Sequence, residues 1–208
     1  MRVTALQKEK KHLMRIAFED GGELLLDIDV CSDNAIGVGS ELSEEYIKKL
    51  SFESNYQRAK SRALWYLDRA DHTEKALYTK LLRAGFEKHA SAAVIARLTE
   101  LGVVDDRRFA ERFAERCCEN NISKREELHK MLEKGVAYDM AKQVLEEQEC
   151  DEGEQLSALI EKKYAYKLSQ PNGMQKVYAA LVRKGFSYAA IRTALKKYND
   201  ELEFSEEY

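Results

Sequence analysis

The chain has 208 residues, of which 44% are apolar and 34% are charged, and its formal net charge is −3. This composition is typical of a soluble, charge-rich helical protein, and no apolar run approaches the roughly 18 residues that span a bilayer. The N-terminus lacks the apolar core of a secretory signal, so we expect a cytoplasmic protein without membrane contact. Four cysteines without CxxC spacing predict neither a disulfide framework nor a metal site. They are Cys31, Cys117, Cys118 and Cys150.

The N-terminal portion has a two-residue apolar period, which predicts β-strands. Residues 12–19 and 24–30 alternate in this way, and Asp20-Gly21-Gly22 between them is typical of a hairpin turn. With residues 3–6 as a third strand, we predict a small antiparallel sheet, followed by a short helix over residues 43–50. Because a sheet of this size needs a helix to cover its apolar face, we expect it to pack on the first helical unit.

Three glycines spaced 50 residues apart mark a repeat in the rest of the chain. Gly85, Gly135 and Gly185 each follow a helical apolar pattern and precede an apolar residue. Glycine in this position ends a helix in the left-handed conformation without a Cβ clash. A second amphipathic run follows each glycine, and a third lies further upstream. The pattern therefore predicts three tandem repeats of three helices each.

The predicted fold is mainly α. A unit of about 45 residues buries too little surface to be stable alone, so neighbouring repeats must share their cores. We therefore expect a monomer in the form of an elongated, curved rod of three stacked units, preceded by the small antiparallel sheet. The predicted segments are the sheet with its short helix (1–50), repeat 1 (51–104), repeat 2 (105–150), repeat 3 (151–198) and an acidic tail (199–208).

Repeat 3 is strongly basic. Between residues 160 and 198, nine basic side chains stand against a single acid, Glu161. A polyanion that meets this surface would respond to the local excess, because salt screens charges beyond about 8 Å. We predict contact with a polyanion such as DNA; the alternative is a solvated surface that only maintains solubility. The nine residues are Lys162, Lys163, Lys167, Lys176, Arg183, Lys184, Arg192, Lys196 and Lys197.

Tyrosines are interleaved with these bases, and exposed rings can stack on nucleotides. Of the five between residues 164 and 198, Tyr164 and Tyr178 have core spacing, so we expect them to be buried. The acidic tail is expected to compete with a polyanion for the same surface.

Repeat 2 has a balanced charge. Between Asp105 and Lys134, eight bases and eight acids alternate, a pattern that suits protein contacts better than phosphate. Asp105 and Asp106 open a helix, where carboxylates are expected as cap and dipole partners. Phe109 is expected in the core. We predict that four arginines contact a partner protein, namely Arg107, Arg108, Arg112 and Arg116.

No catalytic constellation is visible. The four histidines form no HExxH motif, and neither GxSxG nor the phosphate-binding GxxxxGK[ST] motif occurs. Without a visible pair of nucleophile and base, a hydrolase or ligase is the least favoured class. We predict a protein that is not an enzyme and needs no cofactor.

One stretch carries a more specific signal. The sequence Leu98-x-x-Leu101-Gly102-Val-Val-Asp105-Asp106-x-x-Phe109-Ala110 resembles the bacterial RecX family, the modulators of the RecA recombinase. The resemblance extends over about residues 55–198, and the N-terminal sheet is similar to the extension of longer members from Gram-positive bacteria. Residues 119–123 lack the glycine and basic run of many relatives, which weakens the case for a DNA contact through repeat 2.

The resemblance implies a regulatory protein without catalytic activity. Such a protein would lodge on the RecA filament on single-stranded DNA, block its extension or promote its disassembly, and so restrain strand exchange, recombinational repair and the SOS response. The partners implied are the RecA filament and single- or double-stranded DNA. The alternative is a general DNA-binding helical protein that acts without RecA.

Overall fold

The computed structural model describes residues 1–10 and 12–205, with side chains described up to residue 198. The chain divides into two compact units, Met1–Asp105 and Asp106–Tyr208. It is mainly helical and carries a small antiparallel sheet, as the sequence predicts. Within the described residues, no helix combines the length and apolar character that a bilayer crossing needs.

The first unit contains three strands and four helices. They are β1 (Val3–Lys10), β2 (Leu13–Phe18), β3 (Glu23–Asp27), α1 (Ile28–Asp33), α2 (Glu44–Leu67), α3 (Glu74–Arg83) and α4 (Lys88–Glu100). In its described residues, up to Ser205, the second unit contains seven helices. They are α5 (Asp106–Glu119), α6 (Lys124–Lys134), α7 (Tyr138–Glu147), α8 (Glu152–Lys163), α9 (Ala165–Leu168), α10 (Gly173–Arg183) and α11 (Tyr188–Ser205). The side chains of the predicted acidic tail, residues 199–208, lie outside the described part.

The three strands pair in the order β1-β2-β3, antiparallel throughout. Alternation along the strands buries Val3, Ile16 and Leu26 on one face, as the two-residue period predicts. Leu50 of α2 joins this core. The prediction that a helix covers the sheet is therefore confirmed.

Helix α2 differs from the prediction of a short helix over residues 43–50. It begins after Ser43, whose Oγ accepts the Tyr46 N–H (3.1 Å), and continues without interruption to Leu67. Residues 44–67 contain neither glycine nor proline, so no residue breaks the helix where the predicted short helix meets repeat 1. Its first half covers the sheet, and its second half contributes Ala59 and Ala63 to the core of repeat 1.

Strand β3 also ends earlier than predicted. The carboxylate of Asp27 accepts the Asp29 N–H (3.0 Å), which caps α1 where the sequence analysis continued the strand to Val30. Local capping by aspartate competes with the strand pattern here. The Asp27 N–H is satisfied by Ser54 Oγ of α2 (2.7 Å), which fixes the end of the sheet on that helix.

The three repeats share one plan. In each, a glycine with positive φ connects the second helix to the third: Gly85 (+88°), Gly135 (+97°) and Gly185 (+88°). Repeat 3 departs from the plan because the short α9 is inserted before α10. Phe109 is buried as predicted, whereas Tyr164 and Tyr178 are only half-buried and pack at the edge of the repeat 3 core.

Polar contacts from repeat 2 and from within repeat 3 fix the corner before α11. Ser123 caps α6 by accepting the Glu126 N–H (3.2 Å), and its hydroxyl also donates to the Lys184 carbonyl (2.5 Å). The Glu152 carboxylate accepts the N–H and the hydroxyl of Ser187, both at 2.7 Å. These contacts hold the corner before α11 against the starts of α6 and α8.

The cysteines contradict the sequence analysis. Cys118 at the end of α5 and Cys150 in the segment before α8 form a disulfide, with their Cα atoms 6.2 Å apart. The two lie 32 residues apart in the sequence, so only the folded repeat brings them together. Cys117 is free and buried, and burial raises the pKa of its thiol to about 11. A thiol of this kind is unreactive at neutral pH.

We predict that alanine lowers the free energy of unfolding more at position 185 than at position 85. At either site the positive φ destabilises an alanine by about 1 kcal/mol relative to glycine. A Cβ at Gly185 would also lie 3.0 Å from Arg125 Cβ and from Ser123 Oγ, whereas nothing lies within 4 Å at Gly85. Gly185→Ala should therefore lower the free energy of unfolding by a further 1–3 kcal/mol or so. Denaturant unfolding followed by circular dichroism measures this, and equal losses for the two variants would contradict it.

We also predict that the disulfide contributes about 2–4 kcal/mol to the stability of the second unit. A reductant should lower the unfolding midpoint of the natural protein. Cys118→Ser should show the lowered midpoint already, and the reductant should not change it further. A midpoint that does not respond to the reductant in the natural protein would contradict this.

Candidate nucleic-acid interface

The nine bases predicted in repeat 3 lie on the outside of that repeat. Lys184 is half-buried and the other eight are exposed. On α10 the reason is the helical period, because Val177 and Leu181 are buried and place Lys176 and Arg183 outward. Among the described side chains, none of the nine forms an ion pair within 4.0 Å. Their charge is therefore not offset by a close carboxylate of the described part.

Two of these bases meet tyrosine rings in an open cleft of about 640 Å³. Lys176 and Arg183 line the cleft with Tyr178 and Tyr188, and Tyr188 is 62% exposed. An exposed aromatic ring beside cations is the arrangement with which proteins bind single-stranded nucleic acids, by stacking on bases and pairing with phosphates.

A second open cleft of about 840 Å³ continues from the first, since Arg183 lines both. Helix α6 contributes Arg125 and His129, which face Arg183 and Lys184 across apolar side chains such as Leu132. The two α6 residues are not among the predicted site residues, because bases and acids are equal in number between residues 105 and 134. Their proximity follows from the hydroxyl contact between Ser123 and Lys184, which the sequence pattern does not show. We call the two clefts together the α6–α10 groove.

The structure does not gather all nine bases in one place. Lys197 lines a different cleft, together with the carboxylates of Asp151 and Glu154. Lys167 lies with its Nζ 5.7 Å from the centre of the Tyr164 ring. The strongest juxtaposition is therefore that of Lys176, Arg183 and Lys184 in the α6–α10 groove.

The four arginines predicted for protein contacts differ in their surroundings. Arg107 is bound within repeat 2, with its Nε 2.9 Å from Glu111 and its Nη2 2.6 Å from Glu147. These carboxylates, Glu111 first, raise the pKa of Arg107. The Arg116 guanidinium lies 6.0 Å from the Phe113 ring centre. Arg108 and Arg112 are exposed on the same helix.

The interior of repeat 2 contains an acidic residue that the sequence analysis did not single out. Glu127 is 1% exposed, and neither carboxylate oxygen has a hydrogen-bond donor among the described atoms. Burial raises the pKa of Glu127 to about 7, against smaller opposing effects of Lys124 and the neighbouring Gln148. Gln148 donates its amide to the Ala114 carbonyl (2.8 Å), while its own Oε1 has no described donor.

Comparison with known proteins decides the family. Profiles of the first and third three-helix domains of RecX match residues 59–98 and 151–195. A regulatory protein RecX from Prosthecochloris aestuarii is 31% identical over 145 residues, which cover 69% of this chain and 95% of that protein. The chain belongs to the RecX family.

Other RecX proteins match over nearly the whole length. A regulatory protein RecX from Clostridium tetani is 26% identical over 197 residues, covering 92% of this chain and 91% of that protein. The fold is also that of solved RecX structures. One crystal structure of regulatory protein RecX has a TM-score of 0.68, 19% identity and 94% coverage of this chain and 98% of its own. RecX from Lactobacillus salivarius has a TM-score of 0.61, 22% identity and 69% coverage of this chain and 96% of its own.

The buried carboxyl predicts a pH dependence of stability. The pKa of Glu127 is raised from 4.5 to about 7, so the folded state binds the proton more tightly than the unfolded state. Stability should therefore fall as the pH rises from about 4.5 to about 7, and stay low above it. Since one pKa unit corresponds to about 1.4 kcal/mol, the loss across this window is roughly 3 kcal/mol.

Glu127→Gln should flatten that dependence and raise the free energy of unfolding at pH 8 by about 1–3 kcal/mol, because a buried charge is removed. The matched control is Glu126→Gln, which removes the charge of a half-buried neighbour bound to Lys130 (2.7 Å). The control should change stability by less than about 1 kcal/mol and leave the pH dependence in place. Denaturant unfolding between pH 4.5 and 8 measures both, and a natural protein whose stability is flat across that range would contradict the assignment.

Proposed function

We propose that this RecX family protein is a regulatory protein without catalytic activity that binds the RecA–single-stranded DNA filament and inhibits the recombinase. Inhibition would limit strand exchange and the SOS response. The proposal is supported by the family, whose named members are regulatory proteins, and by one observation. That observation is the α6–α10 groove, where Lys176, Arg183 and Lys184 lie beside the exposed ring of Tyr188.

In this proposal the groove bases pair with phosphates of the DNA in the filament. If about half of the nine repeat 3 bases make such contacts, the logarithm of affinity should fall with the logarithm of salt concentration at a slope of roughly −3. Tyr188 would stack on a base or pack on the recombinase. The apolar part of the groove, with Leu132, suits a ligand that is not purely ionic.

Protein contacts are assigned to Arg108, Arg112 and Arg116 on α5. Arg107 belongs to the same predicted set, but it would have to exchange Glu111 and Glu147 for carboxylates of the partner. Such an exchange gains little, because one set of ion pairs replaces another. Arg107 therefore contributes to a partner contact only through such an exchange.

A second candidate function is DNA binding without RecA. The α6–α10 groove favours this second function, because basic side chains and an aromatic ring can bind single-stranded DNA without another protein. Such a protein would bind bare single-stranded DNA tightly and leave the activities of a RecA filament unchanged at substoichiometric amounts. The regulatory family favours the first candidate.

The deciding experiment adds the purified protein to RecA on single-stranded DNA and follows ATP hydrolysis and strand exchange. We expect both rates to fall. Reversing two groove charges, in Lys176→Glu with Arg183→Glu, should weaken the inhibition at least tenfold, because two attractive contacts become repulsive. The matched control is Lys142→Glu, which reverses an exposed charge beside Glu146 (3.6 Å) elsewhere in the same unit.

Three outcomes separate the alternatives. Unchanged rates with the natural protein, together with tight binding to bare DNA, would support the second candidate. Inhibition that the double variant retains in full would remove the groove from the site. A lowered unfolding temperature of the double variant alone would identify Lys176 and Arg183 as structural residues.

A further inference from the structure

A stripe of cations and one aromatic ring runs along α2 in the first unit. Arg58, Arg62, Trp65 and Arg69 follow one another at intervals of four, three and four residues, so they lie on one side of the helix and its C-terminal turn. At 1.5 Å per residue the stripe is about 16 Å long. We call it the α2 stripe.

The centre of the stripe is a stack of a guanidinium on an indole ring. Arg69 Cζ lies 3.6 Å from the centre of the Trp65 ring, and Arg69 Nη1 donates to the Trp65 carbonyl (2.9 Å). Arg62 Cζ lies 5.0 Å from the same ring. Two cations are thus held at one aromatic ring by cation–π contacts.

Further groups extend this arrangement on both sides. The Tyr66 ring meets Trp65 edge to face with centres 5.3 Å apart, and Lys80 Nζ lies 5.0 Å from the Tyr66 ring centre. At the other end, Arg58 Cζ lies 5.8 Å from the Phe86 ring centre. The pattern of alternating cations and aromatic rings therefore spans the second half of α2 and reaches α3 and the corner after it.

The core of repeat 1 does not account for Trp65. Ala59 and Ala63 of the same helix face that core with Leu77 and Leu81, whereas Trp65 is 44% exposed and lies outside the core cluster. An exposed tryptophan between two arginines is typical of a binding surface, because tryptophan, tyrosine and arginine contribute most of the binding energy at contact surfaces.

The charges around the stripe are not uniform, and this sets the path of a ligand. A cleft of about 890 Å³ beside the stripe has Arg58, Arg62 and Trp65 on the α2 side. Carboxylates line it from the β3–α1 side; they are Asp27, Asp29 and Asp33. Asp68 lies 3.9 Å from Arg69. Lys10 and His12 line the same cleft, so the carboxylates occupy only part of its far side. An anionic chain would therefore follow the arginines along α2 and keep away from the three aspartates.

We propose that the α2 stripe binds single-stranded nucleic acid. A base extends the stack of Arg69 on Trp65, and the flanking phosphates pair with Arg62 and Arg58. A single strand fits because its bases present free π-faces, whereas the bases of a duplex are already stacked on one another. The proposal does not depend on RecA and concerns a unit of the chain that the α6–α10 groove does not include.

The chain provides its own reporter, because Trp65 is its only tryptophan. Titration of the full-length protein with a short oligodeoxythymidylate should change the tryptophan emission in a saturable way. The matching blunt duplex at the same nucleotide concentration should change it much less. Increasing salt should weaken the binding, as expected for phosphate contacts.

Variants test the stack itself by fluorescence anisotropy of a labelled oligonucleotide. In a protein that also carries Lys176→Glu and Arg183→Glu, so that the α6–α10 groove does not hold the oligonucleotide, Trp65→Ala should weaken binding roughly 5- to 150-fold, the range observed for the loss of one stacked base. Arg69→Lys keeps the charge but loses the planar guanidinium, so it should weaken binding several-fold where a purely ionic site would not respond. Phe52→Ala is the matched control, since Phe52 is an exposed ring on the same helix outside the stripe, and it should bind as the natural protein does.

The outcomes are distinguishable from those of the RecA experiment. Anisotropy that reports binding while Trp65 emission stays constant would overturn the proposal and place the DNA elsewhere. Equal response to single strand and duplex would do so as well. If Trp65→Ala retains full DNA affinity but loses inhibition of the RecA filament, the stripe is a protein-binding surface instead. Far-ultraviolet circular dichroism of each variant establishes that it is folded.

Discussion

The helical repeats depend on a backbone constraint, because at three corners the chain must take a positive φ to turn from one helix into the next. Gly85, Gly135 and Gly185 meet it without the Cβ clash that other residues would suffer. The corner returns the chain so quickly that the apolar faces of both helices meet in one core. In repeat 3, Leu181 before the corner and Ile191 after it are both fully buried.

The same constraint positions a surface. At Gly185 the backbone approaches α6 closely enough that a Cβ would touch Arg125, and the Ser123 hydroxyl binds the carbonyl of Lys184. The corner thereby brings the bases at the end of α10 next to those of α6. Groove and corner are consequently one structural feature, and a change that loosens the corner should also open the groove.

Repeat 2 differs from its neighbours in having a buried carboxyl group and a disulfide. Its interior encloses Glu127, whose raised pKa predicts a loss of stability as the pH rises from about 4.5 to about 7, and a disulfide joins Cys118 to Cys150. Charged side chains on its surface form ion pairs within the repeat, as Arg107 does with Glu111 and Glu147. The first and third repeats carry the exposed aromatic rings that lie beside cations, Trp65 and Tyr188.

The sequence by itself determined that there are three strands, three repeats with their corners and an excess of bases in repeat 3, because each follows from neighbours within a few residues. It failed locally at the end of β3, where the cap of Asp27 competes with the strand pattern. Its other failures came where a long-range contact decided the outcome. The segment between residues 43 and 67 became one helix because both halves found a surface to cover, and Cys118 met Cys150 across 32 residues. The spacing of Arg62, Trp65 and Arg69 is visible in the sequence. Only the tertiary structure decides that this side of α2 faces outward, since either side of a helix can be buried until its packing partner is fixed.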